Sequence, residues 1–229
     1  MNRRDRWKAV CEKWIRRIDP TFTEPVYLLS ARQATGVVEM SEICGLTGLG
    51  MAGDVRTALE RRHEWRGPGF AAVIDLERIS RTVELIGVAL HEYTHYVEST
   101  AAAIPLATSM GRAAYHAVLS KPRDDESMPI RPSSTKRPWD QHGPAFIHLA
   151  IHAEHRAWRA GCRAVLADWT YYELPSGWRW RGALGDEPAR LAKLPMIEVA
   201  KHPWTDTYKQ FSDEAVRTAE QSFTERNEP

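Results

Sequence analysis

The chain of 229 residues carries 31 Lys plus Arg against 30 Asp plus Glu, a formal charge of +1, so no bulk electrostatic argument points to a dedicated nucleic-acid or anionic-membrane binder. Hydrophobic residues make up 43% and charged residues 27%, the balance of a soluble globular chain, and no apolar run reaches the roughly 18–20 residues needed to span a bilayer. Cys11, Cys44 and Cys162 stand far apart with no CxxC pair, which excludes a disulfide scaffold and a cysteine-rich zinc ribbon.

In chain order, residues 3–18 place Trp7, Val10, Cys11, Trp14 and Ile18 at three- and four-residue steps, an amphipathic helix stopped by Asp19-Pro20. This charged N-terminal stretch lacks the apolar centre of a signal peptide, and with the cysteine usage it leads to the expectation of a cytoplasmic protein. Val26–Ser30 reads as a short strand, and the Gly-rich residues 36–53 read as turns without a phosphate-binding pattern. Residues 54–65 read as helix and Phe70–Leu76 as a strand after Gly67-Pro68-Gly69. Residues 81–103 form a long helical pattern, apolar on most faces before His91, which predicts a buried helix. A further helical piece over 106–119 leads into 120–140, where Pro122, Pro129, Pro132 and Pro138 lie among charges and serines, an exposed and flexible excursion. Pro144 stands at the first position of a helix running to about Gly161, and at most to Ala167. Beyond it, residues 178–181 alternate like a strand, Asp186 with Pro188 starts a short helix, 196–200 suggests a strand, and 212–224 a last helix.

His91-Glu92-Tyr93-Thr94-His95 is the pattern HExxH. Residues four apart on a helix lie one above the other, so the two imidazoles can grip one zinc ion, and Glu92 at the edge of that face can act as general base. A catalytic zinc takes three protein ligands as a rule. The extension HExxHxxGxxH fails, because Glu98 and Ala101 occupy its last two defined positions. Two candidates remain for the third donor: Glu154 on the downstream helix, and His142 just ahead of the helix start at Pro144, with Phe146 one turn later.

HEYTH followed by His142-Gly143-Pro144-Ala145-Phe146 resembles the SprT-like zinc metalloproteases, whose metal site combines HExxH with a downstream HGxxF. The resemblance covers about 81–103 and 140–158. It implies an α+β zincin-like domain with a small sheet, an active-site helix carrying HExxH and a second helix supplying the third ligand. It further implies His91, His95 and His142 as ligands of Zn2+, Glu92 as the catalytic acid/base, and a protein or peptide substrate, DNA-associated proteins included. On this reading residues 1–229 are a single domain, 96–141 is an insertion and 162–229 a C-terminal extension. Forty-six residues lie between His95 and His142, longer than the family usually shows. The alternative reading is a nucleic-acid-associated binding protein with a structural zinc or lost catalytic activity.

Secondary signals are weaker. Glu98 shares the face of the motif histidines, as a fourth donor, an acceptor orienting an imidazole or, more commonly, a solvated helix-end carboxylate. His148, His152 and His155 form a stripe that could be a second metal site; a polar helix face is the commoner explanation. Tyr171 and Tyr172 are candidates to stabilise an oxyanion. Trp178-Arg179-Trp180-Arg181 and the seven basic residues within the first seventeen positions could meet nucleic acid, and are better explained as an amphipathic strand and a solvated helix face. Phe70–Leu76 is the expected edge strand for holding substrate by strand addition.

Overall fold

A computed structural model of the chain describes residues 3–30, 45–46, 52–74, 76, 79–110, 144–164, 182–214 and 217, and the side chains of these except at 45–46, 52–55 and 102–110. They form a mostly helical α+β structure in two compact units, Met1–Glu126 and Ser127–Pro229. No helix among the described residues is long and apolar enough to cross a membrane.

The first unit begins with α1 (Arg3–Ile18), which buries Cys11, Ile15 and Ile18 on one stripe as its periodicity requires. Its basic residues are largely engaged within the fold. Arg4 pairs with Glu64 and donates to Leu28 O, Arg16 donates to Glu12 and Phe22 O, and Arg3 and Arg17 lie over the Trp7 and Trp14 rings. β1 (Val26–Ser30), β2 (Gly45–Leu46) and β3 (Phe70–Ile74) form a sheet in the order β1-β3-β2. β1 and β3 run parallel with Val26 opposite Phe70, and β2 runs antiparallel to β3 with Leu46 opposite Val73. β3 therefore lies between two strands, and Phe70–Leu76 is not the edge strand expected from the sequence. Its near-continuous burial explains why: four of its five residues are inaccessible, the pattern of a strand covered on both faces.

Between β2 and β3, α2 (Ala52–Arg61) starts and ends earlier than expected. Glu64 N donates to Leu59 O and His63 N to Glu60 O, the paired bonds of a Schellman cap, with His63 in the left-handed region at φ 56°. The turn that follows is pinned to Tyr27, whose Oη donates to Gly67 O and accepts from Arg66 N, and whose ring stacks on Trp65.

α3 (Thr82–Met110) is opened by Glu84, whose carboxylate accepts from Ser80 N and Arg81 N, one half of a capping box. The separate helix expected over 106–119 is, as far as residue 110, a continuation of α3. Residues 85–94 are all buried, in agreement with the apolar run that precedes the motif.

The second unit contains α4 (Pro144–Arg159), α5 (Glu187–Arg190), α6 (Met196–Lys201) and a helical stretch over 206–214. α4 stops at Gly161, φ 91°, where Cys162 N donates to Ala157 O and Gly161 N to Trp158 O. The strand expected over 196–200 is instead α6: Glu198 N and Val199 N both bond back to Pro195 O, and Met196 and Val199, three residues apart, are the buried pair. The last helix starts near 206 rather than 212, because Thr205 caps it, its Oγ1 accepting from Tyr208 N and its carbonyl from Lys209 N. Arg156 reaches across from α4 to bond Leu191 O and Leu194 O, satisfying the carbonyls of the α5–α6 turn.

Candidate metal centres

In the first unit the motif His91–His95 lies in the buried part of α3. The rotation of the helix is set by Tyr93, two residues after His91 and so about 200° around the helix from it. Tyr93 packs edge-on against Phe22 and Phe70 at centroid distances of 5.2 and 5.6 Å, and its Oη donates to Asp19 Oδ2 at 2.8 Å. Burial and the Asp19 carboxylate push the Tyr93 phenol pKa far up, so the hydroxyl remains a donor. Asp19 is itself buried and also accepts from Thr21 Oγ1. With Tyr93 locked on the aromatic side, His91 and His95 face the opposite way, their ring centroids 5.0 Å apart.

His91 and Glu92 are 8% and 5% exposed, whereas the His95 side chain is 21% exposed, so the motif grades from buried to accessible along one turn. Thr94 is sealed inside and donates to Leu90 O. Glu98 Oε2 lies 3.9 Å from His95 Nδ1, too long for a hydrogen bond. The proposed third donor His142 lies outside the described residues, as do Tyr171, Tyr172, residues 120–140 and Trp178–Arg181.

In the second unit the histidine stripe of α4 is not a polar face. His148 and His152 are 1% and 0% exposed, and they point at Glu187, the first residue of α5. His148 Nε2 is 3.0 Å and His152 Nε2 3.5 Å from Glu187 Oε1, and one ligand atom from each of the three residues lies within 4.8 Å of the others. Two histidines on one helix plus a carboxylate from a later one form a group that can hold a metal ion. Burial lowers the pKa of His148, with the Glu187 hydrogen bond acting in the opposite direction, and lowers that of His152 to about 2. Both imidazoles are thus neutral, the form that ligates metal. His155 stands apart from this trio, and Glu154, the other candidate third donor, is buried on α4 without joining it.

Glu187 escaped the reading of the sequence. It lies thirty-nine residues after His148, in a first helical turn where a glutamate is ordinary, and nothing local marks it as a partner of α4. The visible signal was the i, i+4 spacing of His148 and His152. No family model, no curated protein and no solved structure matches this chain.

Proposed function

We propose that the protein is a zinc-dependent metallopeptidase of SprT-like, zincin-like organisation, with His91 and His95 as ligands, His142 as the third donor implied by the motif resemblance, and Glu92 as acid/base. The observation that carries this reading is the turn of α3 on which His91 and His95 stand 5.0 Å apart with Glu92 buried beside them. The donor set fits zinc: two imidazoles at i, i+4 on a helix whose rotation is locked by the Tyr93–Asp19 bond. A zinc ion bound there supplies a Lewis acid and an activated water.

The chain's own residues do the rest. Glu92, in a nearly dry position, takes a proton at its carboxylate and returns it to the departing amine, the two-way transfer that peptide hydrolysis requires. His95 and Glu98, partly open, form the accessible side of the motif. A peptide substrate is favoured over a nucleic-acid role because a purely structural or DNA-binding zinc has no use for a carboxylate at position 92. The basic side chains of α1 that are tied up within the fold point the same way.

The test pairs metal content with cleavage of an unfolded protein such as fluorescently labelled casein. Glu92→Gln is expected to keep the zinc content of the parent and to lose at least about 100-fold in rate, while His91→Ala loses one equivalent of zinc and the activity together. Equal zinc and equal cleavage in parent and variants would remove the reading.

A further inference from the structure

We propose that His148, His152 and Glu187 bind a zinc ion as a structural site of the second unit, additional to the HExxH motif, tying α4 to the segment that carries α5 and α6. Three independent features lead there. The first is geometry. Around a tetrahedral zinc with bonds of about 2.0–2.1 Å, neighbouring donors sit about 3.3 Å apart. The two histidine-to-glutamate separations, 3.0 and 3.5 Å, bracket that value.

The second is unmet polar capacity. Among the described residues, neither ring nitrogen of His152 nor Glu187 Oε2 has a hydrogen-bond partner, although the His152 and Glu187 side chains are 0% and 2% exposed. Each such buried polar atom has given up its hydration, and folding is penalised if nothing meets it. One cation meets a lone pair of His152 and the Glu187 carboxylate together.

The third is closure. His148 is covered by the rings of Tyr208 and Trp204 at centroid distances of 5.0 and 5.9 Å, and Tyr208 is held in place by its hydrogen bond to Pro144 O at the start of α4. A catalytic zinc keeps an accessible position for substrate. A trio sealed to 2% exposure or less leaves no such opening, so the ion is structural and its fourth donor is an enclosed water rather than a substrate. The chemistry of the ligands, two imidazoles and one carboxylate, selects a borderline divalent cation over calcium or magnesium, which take oxygen donors.

The experiment uses the full chain with His91→Ala and His95→Ala, so that the α3 motif cannot contribute. After chelator treatment, one equivalent of Co2+ is expected to produce the intense visible absorption of four-coordinate cobalt. Zinc is expected to bind at one per chain and to raise the Tm. Adding Glu187→Gln, which preserves volume and a hydrogen-bonding oxygen for His148, should weaken the metal by more than the roughly 10–100-fold that loss of an outer-shell partner costs. A His91→Ala/His95→Ala chain with native far-UV circular dichroism that takes up neither ion overturns the proposal, as does uptake unaffected by Glu187→Gln. The two metal readings fail separately: two zinc ions per parent chain support both, one that survives His91→Ala/His95→Ala supports this site alone, and one that is lost there supports only the motif in α3.

Discussion

Tyr93 carries more of the HExxH geometry than its position as a variable residue of the motif suggests. Its hydroxyl reaches seventy-four residues back to Asp19, where the chain turns after α1, and its ring fills the space between Phe22 and Phe70. Removing the hydroxyl with Tyr93→Phe leaves the ring packing intact but takes a donor from a buried carboxylate. We expect a loss of about 1.5–3 kcal/mol in unfolding free energy, read from urea denaturation. A change below about 0.5 kcal/mol would mean that Thr21 and other neighbours satisfy Asp19 without it. His63 shows the opposite economy: a side chain with no part in the chemistry occupies a left-handed cap where glycine is favoured. His63→Gly is expected to stabilise the chain by up to about 1 kcal/mol in the same assay.

β1 and β3 meet at a backbone approach that admits no side chain. Where β3 begins, Phe70 N bonds Pro25 O, and a Cβ at Gly69 would stand 2.2 Å from that same oxygen. Gly69→Ala must open the bond that starts the β1–β3 ladder, at a cost of about 1–3 kcal/mol, while Gly182→Ala, with open space around it, serves as the near-neutral control. Thermal melts of the two variants separate the outcomes, and equal Tm values would show that the strand entrance yields. In the second unit, α5 and α6 are too short to persist alone. They depend on α4 through Arg156, whose guanidinium holds two carbonyls of the intervening turn, and through Glu187. Burying Met196 and Val199 together needs a three-residue step, which explains why 196–200, strand-like by composition, is helical.

For the molecule as a whole, acid is expected to act first through the buried histidines. Burial lowers the folded-state pKa of His148 and His152, that of His152 to about 2, against about 6.5 in an unfolded chain. Below about pH 6.5 the unfolded state therefore binds protons that the native state refuses, and stability falls as pH falls. The loss is on the order of 1 kcal/mol per pH unit for His152 alone. Urea midpoints of the chelator-treated protein at pH 7.5, 6.5 and 5.5 should decline in that order, and a flat profile would show that folding leaves the pKa of these imidazoles unchanged. Much of the chain was legible in advance because the information is local. The stripe of α1, the apolar run before His91, Pro144 at a helix start and HExxH itself each depend on residues within a turn or two of one another. Whether β3 is central or at an edge, whether the stripe on α4 is wet or buried, and that Glu187 faces it were decided by packing between segments far apart in the chain. A repeat of 3.6 or 2 residues tells which side chains share a face, but it does not tell what that face meets, and the chemistry of a histidine depends on what it meets.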